Sequence, residues 1–242
     1  MWGGPGVIEV TGLTKSFGTL YALRGIDLSI DEGTSLSIFG PNGAGKSTFI
    51  RILSTLSNGT SGKVTIAGMD ISKEPQKVRC RLGVISHSTY LYDELSAEEN
   101  LRFYGTMYEL DTLDERVASV LNEVGLFERR EDRVRTYSRG MQQRLSIARA
   151  MLHQPDILYL DEPYTGLDQH ASKMLTEWLS KLRSQKRTIV LVTHDITHGL
   201  AFADRAAIFL RGKVAYNEPV EQQNLVQFQQ TYFDIIAGGR AA

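Results

Sequence analysis

The stretch Gly40-Pro41-Asn42-Gly43-Ala44-Gly45-Lys46-Ser47-Thr48 holds residue types that can seat a polyphosphate. From Gly40 to Ser47 it fits the phosphate-loop pattern G-x-x-x-x-G-K-[ST]. Glycines at 40, 43 and 45 carry no Cβ, so the backbone can curl with its N–H groups facing inward, and the first turn of a following helix adds more. Lys46 would set a point charge on the β- and γ-phosphates, and Ser47 would offer its hydroxyl to Mg²⁺. Two other runs end in chemistry: Asp156–Asp161 closes on an acid followed by Glu162, and Thr188–Thr193 is followed by His194. In an open parallel sheet, ligands sit beyond the carboxyl ends of the strands. There Asp161 would act on Mg²⁺ with Ser47, Glu162 would polarise an attacking water, and His194 would reach that water or a γ-phosphate. Taken singly, an acid pair after a strand can simply start a helix, and a histidine there can be structural. Two such ends beside one phosphate loop favour the chemical reading.

The elements needed to position these residues are legible in outline. Ser35–Phe39 alternates like a strand entering the loop, and Thr48–Leu53 has the apolar spacing of a helix leaving it. Upstream, Val7–Val10 and Ile26–Ile30 read as strands, with Lys15-Ser16-Phe17-Gly18 as a loop between them and Asp31-Glu32-Gly33 as a turn. With Lys63–Gly68 these predict an antiparallel β-region beside a parallel α/β core. Leu82–Ile85 predicts a buried strand. A capping box, Ser96 to Glu99, starts a helix through Tyr108; a second helix covers about Leu113–Val124 and stops at Gly125; a third runs from after Ser138 to about His153. Three helices in succession predict an inserted helical lobe, about residues 88–153. A helix over Ala171–Arg183, a hairpin of Ala207–Leu210 with Lys213–Tyr216, and a C-terminal helix over about 219–236 complete the outline.

Composition narrows the setting. A chain of 242 residues with 42% hydrophobic and 23% charged residues can bury a core. Its net charge of −1 and lack of long like-charge runs make nucleic acid an unexpected partner. Cys80 stands alone, which excludes an intrachain disulfide and fits a reducing compartment. Met1–Gly6 lacks the basic start and apolar run of a secretory signal, and no apolar stretch approaches the ~20 residues that span a bilayer. Any work at a membrane would then need other chains to span it.

Tyr137-Ser138-Arg139-Gly140-Met141-Gln142-Gln143-Arg144 adds a second helix start open to an anion, with Ser138 as N-cap and Gly140 in the first turn. It is either an ordinary cap or a surface that closes over nucleotide held by another copy. Together these motifs resemble the ATP-binding-cassette (ABC) ATPase family across nearly the whole chain. Ser138–Gln142 is similar to its signature loop, Thr165-Gly166-Leu167-Asp168 to its D-loop, and His194 to its switch histidine. Phe17 falls where the family has the aromatic that stacks on adenine. The resemblance implies a P-loop NTPase (RecA-like) parallel-sheet core with an N-terminal antiparallel β-subdomain and an inserted helical subdomain. It implies ATP and Mg²⁺ as ligands, and a head-to-tail dimer, with itself or a similar cassette, around two ATPs. Gly40, Pro41, Asn42, Gly43, Ala44, Gly45, Lys46, Ser47 and Thr48 of one chain would face Ser138, Arg139, Gly140, Met141 and Asp168 of the other.

Two departures stand out. Tyr137, Arg139 and Met141 differ from the family's usual Leu-Ser-Gly-Gly-Gln, and His87 occupies the position of the glutamine that contacts Mg²⁺ and the attacking water. The resemblance further implies an integral-membrane partner and a peripheral place on the cytoplasmic face of the membrane. A long coiled-coil arm or a second cassette would mark other P-loop classes, and the chain shows neither; a P-loop kinase would need an acceptor site and would leave Ser138–Gln143 unexplained. Ser86–Asn100 and Asp161–Gln169 look most similar to the ATP-binding subunit of the cytochrome c maturation (haem exporter) system. Drug-, polysaccharide- or lipid-type exporters, and a soluble cassette of a cofactor-assembly complex, remain as alternatives. Tyr90-Leu91-Tyr92 would be either an exposed interface or core of the helical lobe.

Overall fold

The computed structural model describes residues 6–86, 88–165, 167, 169–220 and 225–238, and of residues 170 and 171 the backbone alone. In chain order the elements begin with β1 (Ile8–Phe17), β2 (Leu20–Ile30), β3 (Ser35–Phe39), α1 (Lys46–Leu53), β4 (Ser61–Ile66), β5 (Met69–Asp70), α2 (Pro75–Arg79) and β6 (Leu82–Ser86). Then follow α3 (Ala97–Met107), α4 (Leu113–Glu123), α5 (Arg139–Met151), β7 (Ile157–Asp161), α6 (Gln169–Ser184) and β8 (Thr188–Val192). The last are α7 (Ile196–Phe202), β9 (Arg205–Leu210), β10 (Lys213–Pro219) and α8 (Leu225–Gly238). Two sheets result. One is antiparallel, in the order β2-β1-β4-β5; the other runs β10-β9-β3-β8-β7-β6 and is parallel except for β10.

The parallel strands are covered on both faces, and their alternation shows it. In β7, Ile157 and Tyr159 join a core with Phe49, Ile38 and the inner residues of the antiparallel sheet, while Leu158 and Leu160 join a second core with Leu101, Leu145 and Leu179 from the helices. In β8, Val190 and Val192 face the first core, and Ile189 and Leu191 the second. A strand buried on both faces reads as a continuous apolar run, which is why these strands were visible in the sequence. Each fully buried Leu, Ile or Val here contributes about 1.5–3 kcal/mol.

The helical lobe holds the expected signals. Ser96 Oγ accepts from the Glu99 N–H at 3.1 Å and Glu99 Oε2 accepts from the Ser96 N–H at 2.7 Å, closing the capping box of α3. Gly125, at φ 64°, ends the turn after α4.

Four local expectations need correction. Lys15–Phe17 is not a loop: β1 continues to Phe17. Its buried residues step from Ile8 and Val10 to Leu13, because a register shift lies between Val10 and Leu13, with Gly12 at φ 56°. That bulge breaks the period-2 pattern and hides the strand's second half. β2 likewise begins at Leu20, six residues earlier than its regular alternation shows. α2 and α7 are too short to display a helical period. Finally, β10 pairs with β9 as far as Pro219, so the C-terminal helix does not begin at 219; α8 occupies Leu225–Gly238. Proline's missing N–H is tolerated at the end of this edge strand.

His153, just beyond α5, locks the lobe to the sheet. Its Nε2 lies 2.9 Å from the Leu82 carbonyl oxygen and its ring stacks on Tyr108 at 3.8 Å. Burial pulls its pKa down to about 4, against the carbonyl bond, which favours the charged form. The folded chain therefore keeps His153 neutral where the unfolded chain, with a pKa near 6.5, takes up a proton. Stability should fall as pH drops from about 6.5 to about 4, by about 3 kcal/mol in total from this group. Urea unfolding at pH 7 and pH 4.5 should show a smaller acid loss in His153→Gln than in the parent chain; identical losses would overturn this.

Candidate functional site

β3 delivers the phosphate loop. Its five residues are all buried, so the chain leaves the core at Phe39 with little freedom. A Cβ on Gly40, at φ 145°, would sit 2.2 Å from the Phe209 carbonyl oxygen; one on Gly45, at φ 100°, would sit 2.5 Å from that of Ala22. Only glycine fits either place, because the loop is pressed between β9 and β2. Gly45 is also the N-cap of α1 and no side chain caps that helix, so its first N–H groups remain open to an anion. Lys46 is only 8% exposed and its Nζ donates to the carbonyls of Gly40 at 2.6 Å and Pro41 at 3.1 Å. Burial lowers its pKa, and the nearby Glu162 and Asp161 carboxylates oppose that shift.

The neighbouring strand ends converge on the same spot. Asp161, buried at the end of β7, accepts from the Ser47 hydroxyl at 3.3 Å. Glu162 follows at φ 52°, its N–H held by the Val192 carbonyl at 2.9 Å. Its Oε2 lies 2.8 Å from His194 Nδ1. His194 follows β8 by two residues, and the Thr193 N–H between donates to the Ile38 carbonyl, tying that end back to β3. Lys46, Ser47, Asp161, Glu162 and His194 are thus one cluster. The Ser47 hydroxyl and Asp161 carboxylate offer the hard oxygen donors that suit Mg²⁺, an ion usually held by one or two protein groups plus phosphate and water.

The remaining expected residues fall elsewhere. Phe17 stands 57% exposed at the end of β1, with Lys15 Nζ 5.0 Å from its ring centroid. Pro41 is half-buried, Asn42 and Gly43 are exposed, Ala44 is buried and Thr48 half-buried behind the loop. Ser138 caps α5, accepting from the Met141 N–H at 3.3 Å, and Arg139 is exposed beside it. Neither hydrogen-bonds the loop of its own chain among the described residues. The Met141 side chain is half-buried and packs against the edge of the helical core. Arg139 instead lines a cleft of about 530 Å³ shared with Glu162, Tyr90, Gln143 and Thr165 of its own chain. A larger concavity, about 680 Å³ between α7, β10 and α8, holds none of these groups. His87 and Asp168 lie outside the described residues.

Two participants were not legible in the sequence. Gln143, buried, donates from Nε2 to the Pro163 carbonyl at 3.3 Å and so ties α5 to the turn after Glu162. Tyr164 stacks on His198 of α7, with ring centroids 5.2 Å apart. Both sit beside recognisable motifs, yet only the packing of helix on turn gives them partners.

The comparisons agree with this geometry. Residues 23–165, more than half of the chain, match the family model described as ABC transporter. The linearmycin resistance ATP-binding protein LnrL of Bacillus subtilis (strain 168) is 35% identical over 210 residues, covering 86% of this chain and 68% of that protein. The ABC transporter ATP-binding protein NatA of the same organism is 35% identical over 203 residues, covering 83% and 82%. The daunorubicin/doxorubicin resistance ATP-binding protein DrrA of Streptomyces peucetius is 36% identical over 209 residues, covering 86% of this chain and 63% of that protein. Among solved structures, a dimeric post-hydrolysis ATP-binding cassette bound to ADP and Pi superimposes with a TM-score of 0.81 at 29% identity, covering 88% of this chain and 99% of that one. No helix among the described residues is long and apolar enough to cross a membrane. With its phosphate loop, strand-end carboxylates and paired sheets arranged in this way, the chain belongs to the ABC transporter family, as a single ATP-binding cassette and an ATPase.

Proposed function

We propose that this cassette drives export of a drug-like small molecule through an integral-membrane partner, by closing head-to-tail on a second cassette around two ATPs. The observation that carries the catalytic part is the convergence of Lys46, Ser47, Asp161, Glu162 and His194 at three neighbouring strand ends. In this reading the loop from Gly40 to Thr48 binds the phosphates, and Ser47 and Asp161 hold Mg²⁺, which would neutralise charge on the β- and γ-phosphates. Glu162 orients and deprotonates the attacking water, and His194, bonded to Glu162, reaches the γ-phosphate. Phe17 offers its exposed face to the adenine. Ser138, Arg139 and Gly140 meet the nucleotide of the opposite cassette, joined by Asp168 and Met141. His87, next in sequence after β6, reports on the γ-phosphate. The whole chain acts as one nucleotide-binding domain, with residues 88–153 as the lobe that relays its motion.

The partner's docking place is supported by an aromatic patch on that lobe. Tyr90, Tyr92 and Phe103 are 44%, 49% and 42% exposed, and Tyr92 and Phe103 pack edge to face at 5.1 Å. Behind them Asn100 is fully buried, bonded to the Tyr92 N–H and carbonyl, and Arg149 lies under Tyr90 and Tyr104. A rigid, half-exposed aromatic surface of this kind suits a protein interface.

Export of drug-like compounds is favoured over haem export by five relatives at 33–36% identity. They are named for linearmycin or daunorubicin resistance and for Nod factor export. The test is fractionation: the chain should pellet with membranes only when its integral partner is co-expressed, and the pair should lower cellular accumulation of a drug-like dye. Pelleting without any partner, or no change in accumulation with both present, would sink this reading.

A further inference from the structure

The hydrogen bond between Glu162 and His194 joins two turns whose bases are already held together by the pairing of β7 with β8 and by the Glu162 N–H to Val192 carbonyl bond at 2.9 Å. Glu162 sits in the left-handed region, at φ 52°, a conformation that a residue with a side chain keeps only when its surroundings over-determine it. Its N–H is fixed by Val192, and its carbonyl accepts from the Thr165 N–H at 3.1 Å. The first bond pins the start of the turn to the end of β8 and the second closes the turn, but neither holds its outer part, at Tyr164, against the helix that follows His194.

A second bridge does. Tyr164, two residues after Glu162, stacks on His198, four residues after His194, with centroids 5.2 Å apart and planes inclined by 28°. Each ring is anchored from behind. The Tyr164 hydroxyl lies 3.3 Å from Thr176 Oγ1 on α6. His198 Nδ1 lies 2.7 Å from one oxygen of Asp195, whose other oxygen accepts the His198 N–H at 2.9 Å. Asp195 in turn donates its N–H to Thr193 Oγ1 at 3.1 Å, the residue immediately before His194. The chain of contacts therefore runs from Glu162 through Tyr164, His198 and Asp195 to Thr193, and returns through His194 to Glu162. It is a closed ring with the water-activating pair on one side and the stack on the other.

We infer that Tyr164 and His198 are positioning residues for hydrolysis: beyond the strand pairing that holds the bases of the two turns, their stack clamps the outer part of the Glu162 turn against α7 and so keeps the Glu162 carboxylate where His194 can bond it. This rests on the proposed roles of Glu162 and His194. Neither ring touches the phosphate loop among the described hydrogen bonds and ring contacts, so ATP binding should not depend on them. A displacement of the carboxylate of even ~1 Å is enough to lower turnover by one to two orders of magnitude.

The experiment is a double-mutant cycle on the intact chain, reading steady-state ATPase kcat and KM together with equilibrium binding of a fluorescent ATP analogue. Tyr164→Ala and His198→Ala should each lower kcat about ten-fold or more, with KM and affinity within about two-fold of the parent. The double variant should be little worse than either single one, because both remove the same stack. Tyr164→Phe and His198→Phe keep a ring and should retain most of the parent rate. His198→Gln keeps a polar group for Asp195 but no ring, and should lose kcat like the alanine variant; it carries the test if an alanine variant does not fold. Additive losses, unchanged kcat in the ring-less variants, or a parallel loss of ATP affinity would each overturn the inference. Glu162→Gln separates the two levels: if it hydrolyses ATP normally, the assignment of Glu162 is wrong, whereas an inactive Glu162→Gln beside fully active stack variants removes the positioning role alone.

Discussion

Glu162→Gln should bind Mg²⁺–ATP with nearly the parent affinity, hydrolyse it roughly 10²–10³-fold more slowly, and accumulate as a dimer. The substitution keeps the shape of the side chain and an oxygen that can face His194 Nδ1, now 2.8 Å from the carboxylate. What it removes is the ability to take a proton from water. It also removes one of the two carboxylates that favour the charged form of Lys46, but Asp161 remains, so the phosphate contacts should survive. If closure over ATP precedes hydrolysis and hydrolysis reopens the pair, a chain that binds without turning over will collect in the closed state. Single-turnover assays and sedimentation with excess ATP read both halves. Turnover near the parent rate, or a monomer at saturating ATP, would remove Glu162 from its role or the paired-cassette model from consideration.

Lys46→Ala should lose ATP affinity by roughly 3 kcal/mol or more, about two orders of magnitude, while the folded chain stays at least as stable. The two effects have different causes. The ammonium group donates to the Gly40 and Pro41 carbonyls, so it stands inside the cradle in which the phosphates would lie. With nucleotide bound, those donors would turn to phosphate oxygens, and an alanine has nothing to replace them. For stability the sign is opposite: burial lowers the Lys46 pKa overall, which means the fold tolerates its charge at a cost. Removing that charge relieves the cost. Titration calorimetry and thermal unfolding of the same sample should therefore move apart, and retained affinity would refute the phosphate assignment.

How much could be read in advance depended on whether a residue's partners lay within its own segment. The capping box at Ser96 and Glu99, the glycine stop at Gly125, the alternating strand β3 and the double-faced strands β7 and β8 are local or periodic signals, and the structure keeps them. Phe17 was found by its place in a family pattern but set on a loop, because the bulge between Val10 and Leu13 shifts the apolar pattern by one residue. Gln143 and Tyr164 carried no signal of their own. A glutamine in a helix and a tyrosine after a proline acquire meaning only from Pro163 and His198, which other elements bring to them.

The sequence alone determined the chemistry available: the phosphate loop, the carboxylates closing apolar strands, the signature-like helix start and the absence of any cysteine pair. These are short-range properties of residue type and spacing, and they suffice to name the family and its ligand. Only the tertiary structure decided which of those groups meet. Asp161 reaches Ser47, Glu162 reaches His194, and Tyr164 reaches His198 because β3, β7 and β8 lie side by side in parallel register, with their carboxyl ends at the same edge. Strand order is set by how both faces of the sheet are buried over the whole chain, a long-range balance that no single stretch of sequence records.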